Sequence, residues 1–249
     1  MKVKTILVSQ PEPKENSPYS RLIEKQKVKI DFRPFIHVES VDAREVRQQK
    51  IDLAKFTSII LTSRNAVDHF FRIAKEMRFK VPDTMKYFCQ SEAVAYYLQK
   101  YVVYRKRRIY VGKRNFQDII PLLKKYSDEQ FMLPSSDVLK PNIPSILNEL
   151  QVDWKRAILY KTVISDLSDL RDVHYDILVF FSPSGIESLF KNFPSFKQNE
   201  TKIAVFGNST VRAANAAGLR IDIEAPTPET PSMTMALEKY ISGVNINVR

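Results

Sequence analysis

Five glycines, three histidines, one tryptophan and one cysteine are all that 249 residues hold of these types, and the shortages close off several classes of chemistry. The single cysteine, Cys89, excludes an intrachain disulfide and fits a reducing compartment. Among the glycines there is no Gly-x-Gly-x-x-Gly and no Gly-Lys-Ser/Thr, which counts against dinucleotide or ordinary nucleoside-triphosphate binding. His37, His69 and His174 stand far apart, with no cysteine or carboxylate at ligand spacing, so they read as surface or structural histidines and no metal site is expected. The apolar run Ile177–Phe181 falls far short of the roughly eighteen residues that mark a membrane span. Met1–Ser9 has lysines but no adequate apolar stretch before Pro11, so no secretion signal is read. A cytoplasmic, soluble protein without membrane contact is expected.

What is present is a globular composition, 44% hydrophobic and 27% charged, with an excess of positive charge. Thirty-nine Lys and Arg against 28 Asp and Glu leave a net charge of +11, which favours an anionic partner: nucleic acid, acidic lipid, or a carboxylate- or phosphate-rich ligand. Short runs rich in Ile, Val, Leu and Phe predict strands at 4–9, 58–62, 86–89, 108–111, 130–133, 177–181, 202–206 and 220–223. Helical periodicity predicts helices at 19–27, 65–77, 92–101, 116–125, 143–150, 184–192, 209–217 and 232–241. Strand and helix in alternation mean an α/β protein with parallel β-sheets flanked by helices.

Two longer extended stretches, Lys29–Val41 and Arg156–Ser165, break the alternation where a chain would cross between compact units. An internal repeat supports that division. Ile59–Phe71 aligns without gaps on Leu178–Phe190, each an apolar strand, a serine turn and an amphipathic helix. Tyr87–Val94 then matches Ala204–Val211, and Arg108–Val111 matches Arg220–Ile223. Two similar domains follow: a discontinuous one, 1–38 with 166–249, and a second inserted into it, 39–165, which takes in the connecting strand at about 156–165.

In parallel α/β domains ligands bind at the carboxyl ends of the strands, where the helices begin. The turns there carry small polar residues: Thr62-Ser63-Arg64-Asn65, Gln90-Ser91, Ser182-Pro183-Ser184-Gly185 and Gly207-Asn208-Ser209-Thr210. For any single turn the simplest reading is a helix cap, worth about 1 kcal/mol. If two domains face each other, several helix amino termini converge on one cleft, an arrangement suited to a ligand with many carboxylates or phosphates. Lys100–Arg114 interleaves basic residues with Tyr101, Tyr104 and Tyr110. Such a stretch can grip phosphates and stack bases, but no nucleic-acid fold signature accompanies it, and a solvated helix end is the stronger reading.

The repeat, the turns at 62–67, 181–186 and 205–210, and the Leu159-Tyr160-Lys161-Thr162 crossing together resemble the uroporphyrinogen-III synthase family over nearly the whole chain. The resemblance implies two α/β domains joined by a two-stranded connector. It also implies a cofactor-free, monomeric lyase of tetrapyrrole (haem) biosynthesis acting on hydroxymethylbilane, a linear tetrapyrrole with eight carboxylates. Family members close this bilane with loss of water while inverting its last pyrrole ring. Tyr160 matches the family's connector tyrosine, placed to hydrogen-bond or protonate the departing hydroxyl. Ser63, Asn65, Ser91, Ser182, Ser184, Gly185, Gly207, Asn208, Ser209 and Thr210 fall in the turns that would bind carboxylates. The chain departs from the pattern at Ser9-Gln10-Pro11, Cys89-Gln90 and Pro134-Ser135-Ser136, each time on the anion-binding side. Those departures keep open a second reading, a catalytically degenerate protein that binds an anionic tetrapyrrole-like ligand. Nucleic-acid association through Lys100–Arg114 is a third.

Overall fold

A computed structural model describes residues 2–13, 16–139 and 141–246; Met1 and 247–249, which the sequence reading counts in the discontinuous domain, lie outside the described residues. Along the chain run β1 (Thr5–Val8), α1 (Pro18–Gln26), β2 (Lys29–Phe32), β3 (Ile36–Ser40), α2 (Ala43–Gln48), β4 (Ser58–Leu61), α3 (Arg64–Glu76), β5 (Lys86–Cys89), α4 (Glu92–Leu98) and β6 (Ile109–Val111). They are followed by α5 (Ile120–Lys125), β7 (Gln130–Ser136), α6 (Asn142–Glu149), β8 (Asp153–Ile164), β9 (Ile177–Phe180), α7 (Pro183–Asn192), β10 (Lys202–Phe206), α8 (Asn208–Ala216), β11 (Ile223–Ala225) and α9 (Met233–Ile246).

The chain forms two compact units, 1–37 with 163–249, and 38–162. The first is built on a five-stranded sheet in the order β11-β10-β9-β1-β2, every neighbouring pair parallel. The second carries a six-stranded sheet in the order β3-β8-β7-β4-β5-β6, parallel from β8 to β6. At its edge β3 runs against β8: Val41 N–H donates to the Leu159 carbonyl at 3.0 Å and Ser165 N–H to that of Phe35 at 3.0 Å, one number rising as the other falls.

The central strands β1, β9 and β10 of one sheet and β4, β5 and β7 of the other are buried on both faces, which is why they read as continuous apolar runs. On β4, Ile59 and Leu61 pack with Val67, Phe70 and Ile73 of α3 and Val94 and Leu98 of α4. Ile60, between them, points the other way and joins Phe88, Phe131, Ile119, Leu123 and Leu147. The other sheet repeats the arrangement, with Ile6, Val8, Ile177 and Val179 against Leu22 and Leu237, and Leu7, Leu178 and Phe180 against Ile186 and Leu189. Side chains that alternate with a period of two account for this partition.

Several sequence expectations are corrected. Lys29–Phe32 is not part of a crossing; it is β2, an edge strand that pairs residue by residue with β1, and only the stretch from Ile36 carries the chain onward. Helix α2, capped by the Asp42 side chain on Glu45 N–H, escapes a reading by periodicity because Val46 is its one buried residue. The 116–125 segment divides into a 3₁₀ turn, Phe116–Ile119, and α5, with Pro121 in the first turn of α5. The last strand lies at 223–225 rather than 220–223, since the Asp222 carboxylate accepts the Ile203 N–H and so takes the place of a backbone partner. Pro134-Ser135-Ser136 does not follow a strand but completes β7, with Pro134 opposite Ala157 and a register shift between Ser135 and Ser136. No helix among the described residues is long and apolar enough to cross a membrane.

Candidate active site

In the inserted unit, the carboxyl ends of β4, β7 and β8 bring Ser63 and Tyr160 together. Ser63 has extended backbone (φ −158°, ψ 167°) and caps α3, its Oγ accepting the Ala66 N–H at 3.1 Å. That oxygen also lies 3.3 Å from the Tyr160 hydroxyl. Tyr160 reaches it through the irregularity in the β7–β8 ladder, where Ser135 stands opposite Ile158 but Ser136 opposite Tyr160. The extra residue, Leu159, makes Leu159 and Tyr160 consecutive buried side chains, the re-aiming that a bulge produces.

The phenol is mostly enclosed. Burial pushes its pKa above the ordinary tyrosine value, while the Ser63 hydroxyl and the Ser136 backbone amide pull the other way. The group therefore stays protonated at neutral pH. One face of its ring is covered by His69, with ring centroids 4.8 Å apart and planes 22° apart. Sequence reasoning passes over His69 as structural, since nothing local ties a residue of α3 to one so far along the chain. Arg72, one helical turn on, donates its Nε–H to His69 Nδ1 at 3.3 Å and its Nη2 to the carbonyls of Val41 at 2.7 Å and Leu159 at 3.0 Å. The guanidinium is held in turn by Glu76, at 2.6 Å.

The other inserted-unit candidates are less engaged. Asn65 is exposed in the first turn of α3. Ser91 begins α4 without a side-chain cap bond, and Glu92 adds a negative charge to that first turn, which opposes an anion there. Cys89 is fully buried and its thiol pKa is raised to about 12 by burial, which removes it as a nucleophile. At the Pro134–Ser136 departure, β8 supplies an arginine: Arg156 donates to Ser135 Oγ at 2.9 Å and to the Ser136 and Asp137 carbonyls at 2.7 Å each.

In the discontinuous unit, the adjacent strands β9 and β10 present the other candidates. Ser182 caps α7 with its Oγ on the Gly185 N–H at 3.2 Å, and Pro183 occupies the first turn, where its missing N–H costs nothing. Ser184 is partly exposed and Gly185 buried, and a Cβ at Gly185 would meet Phe180 Cδ1 at 3.4 Å, an ordinary contact. Helix α8 is different. Gly207 stands at its N-cap with φ 85° and ψ 147°, and no side chain caps the first turn. Nothing lies within 4 Å of where a Cβ would sit, so the backbone conformation, not a close neighbour, demands glycine. Asn208 and Ser209 are exposed, and Thr210 is buried with its hydroxyl unpartnered. Beside them, Gly207 N–H donates to the Ala225 carbonyl at 2.7 Å. The loop beyond Ala225 holds Thr227 and Thr230, hydroxyl to hydroxyl at 2.7 Å, a polar pair that sequence reasoning misses.

Two features stand away from these turns. A cavity of about 970 Å³ touched by Lys2, Tyr175, Asp176, Phe193, Phe196 and Lys202 sits at the amino ends of β1, β9 and β10, the end opposite the turns. In the basic stretch, most of the tyrosines are used in packing. Tyr101 stacks on Phe71 at 4.5 Å and bonds Asp68, and Tyr110 stacks on Phe88 at 4.8 Å. Tyr104 is half exposed, so an interleaved platform for successive bases is not presented.

Comparison with known proteins adds a further set of findings. Residues 17–235 match the family model described as Uroporphyrinogen-III synthase HemD. No curated protein sequence matches significantly. Among solved structures, the uroporphyrinogen-III synthetase of Helicobacter pylori superposes with a TM-score of 0.64 at 20% identity, over 96% of this chain and 99% of that one. A mutant uroporphyrinogen III synthase of the extremely thermophilic bacterium Thermus thermophilus gives 0.58 at 15% identity, over 98% and 99%. At such identities the structural likeness is one of fold.

Proposed function

Since the chain belongs to the uroporphyrinogen-III synthase family, we propose that it closes hydroxymethylbilane with loss of water and inversion of the last pyrrole ring, with Tyr160 as the proton donor. The reaction makes it a hydro-lyase of tetrapyrrole synthesis, acting in the cytoplasm as a monomer without a cofactor. The observation that carries the assignment to residues is the enclosed phenol. Ser63 Oγ accepts the Ala66 N–H and lies 3.3 Å from the Tyr160 oxygen, where either hydroxyl can donate to the other. The Ser136 amide supports the same oxygen. In the arrangement where Ser63 donates to Oη, the phenol's own proton is free for the hydroxyl that must leave as water. Hydrogen bonds in such a chain strengthen one another, and a donor whose pKa lies above neutrality stays loaded.

Loss of that hydroxyl leaves an electrophilic carbon, and the uninverted ring forms spontaneously from it. The enzyme's larger task is therefore to hold the open chain in the less accessible geometry. The turns supply the grip. In the inserted unit the first-turn N–H groups of α3, and in the discontinuous unit those of α7 and α8 with the hydroxyls of Ser184 and Ser209, suit acetate and propionate arms. The uncapped start of α8 is the best of these, because its first-turn donors have no competing side chain. The net charge of +11 draws the polyanionic substrate in. Freshly prepared hydroxymethylbilane given to the purified protein should yield mostly the type III isomer. A product mixture indistinguishable from the enzyme-free control would overturn the assignment.

A further inference from the structure

Helix α3 touches Tyr160 at three levels. Its N-cap, Ser63, meets the hydroxyl; His69 covers a ring face; and Arg72 binds the Leu159 carbonyl, at the peptide that leads into Tyr160. Two of these contacts have evident purposes, a cap shared with a phenol and a strand tied to a helix. The contact made by His69 has none so plain. His69 is only partly buried, so filling the core does not require it, and the same ring surface could be covered by any apolar side chain.

The chemistry of the imidazole shows what it adds. Because Arg72 Nε–H is a donor, the His69 Nδ1 that faces it at 3.3 Å must be the acceptor, which puts the ring proton on Nε2 and keeps the ring neutral. Burial and the neighbouring guanidinium both hold the His69 pKa below the ordinary histidine value, against the weaker pull of Asp68 and Glu76. Asp68 itself is turned to other partners, Tyr97 at 2.7 Å together with Tyr101 and Lys100. His69 is thus fixed in orientation from behind, by an arginine that is anchored to two backbone carbonyls and to Glu76. A flat ring held in that way forms a rigid wall for the ring stacked on it.

We propose that His69 is a positioning residue for the synthase reaction, locking the Tyr160 ring so that its hydroxyl keeps one direction, with Arg72 holding the imidazole in place. The proposal rests on the reading of Tyr160 as the proton donor. A phenol free to swing about its side-chain torsions would spend part of its time with its proton misdirected, and misplacement by about 1 Å costs up to about a hundredfold in rate. Substrate binding depends on the turns and should be nearly untouched.

The test is a double-mutant cycle with steady-state kinetics on hydroxymethylbilane, using His69→Ala, His69→Phe, Tyr160→Phe and the double variant His69→Ala/Tyr160→Phe. His69→Ala is expected to lower kcat about tenfold with KM within about twofold, a loss confined to the transition state. His69→Phe restores the flat wall and should return kcat to within about threefold of the parent. In the Tyr160→Phe background His69→Ala should cost nothing more, because the two act as a unit. An unchanged kcat in His69→Ala, failure of His69→Phe to rescue, or losses that simply multiply in the double variant would each overturn the role of His69. A Tyr160→Phe enzyme with undiminished kcat would instead overturn the reading of Tyr160. Thermal midpoints of all four proteins separate loss of folding from loss of rate, and the phenylalanine variant keeps the proposal testable if the alanine one is too unstable to assay.

Discussion

Ser63 and Ser182 hold the same place in the internal repeat and are nearly the same object: an extended residue after a buried parallel strand, its Oγ on the N–H three positions ahead, at 3.1 Å and 3.2 Å. What leans on them differs. Ser63 carries a tyrosine hydroxyl on the lone pair or proton left over from capping, and that tyrosine is walled by His69. No second partner is seen for Ser182 among the described residues, and the neighbouring helix α8 begins on Gly207 with no side-chain cap. One turn of the repeat has a buried tyrosine hydroxyl against its serine; the other is a cap beside a helix start with no side-chain cap. The lesson is that a duplicated turn provides backbone donors twice, whereas the tyrosine comes once, placed by a third strand, β8, which the repeat does not include.

The comparison can be broken at its strongest point by Tyr160→Phe. Loss of a general acid costs on the order of 10²-fold or more in kcat, and KM should stay within about twofold of the parent. An equal effect on both constants would move Tyr160 from proton donor to substrate positioning. The next largest effect falls on stability. Gly207→Ala puts a side chain at φ 85°, ψ 147°, a conformation almost confined to glycine, and should destabilise the protein by about 1–3 kcal/mol in urea unfolding. Gly185→Ala, which makes the second turn match Ala66 of the first, meets only an ordinary contact with Phe180 and should shift stability by less than about 1 kcal/mol. Equal costs at the two glycines would mean that the start of α8 is not strained. The smallest effects separate the two serines. Ser63→Ala and Ser182→Ala should each lose about 1 kcal/mol as caps, yet only Ser63→Ala should also lower kcat, by several-fold on the scale of one hydrogen bond. A matching fall in kcat for Ser182→Ala would erase the asymmetry.

Much of the fold is legible in the residues themselves. Parallel strands buried on both faces announce their type by composition, as in Ile177-Leu178-Val179-Phe180, and serine turns mark where helices begin. The family resemblance rests on the order of those turns, and the family match over 17–235 agrees with it. Illegible features are those decided at a distance. Lys29–Phe32 reads like the start of a crossing because nothing local distinguishes an edge strand from an extended linker; its pairing with β1 decides. The bulge at Leu159 depends on the fit of β8 to β7, and neither strand alone shows it. His69 needs both the bulge and helix α3 before it has a neighbour to act on.

Strand β1 lies inside its sheet, between β2 from the same end of the chain and β9, which begins at Ile177. The Lys4 and Thr5 amides donate to the Asp176 carboxylate, partners 172 and 171 residues apart. On the ribosome this order has a consequence. When β8 has emerged, the six-stranded sheet has all its strands, while β1 and β2 form only a pair, and two strands alone are marginal in water. The inserted unit can close early; the surrounding one must leave an apolar two-stranded fragment waiting until β9 is translated. That interval, set by the insertion, is where a chaperone would have most to do.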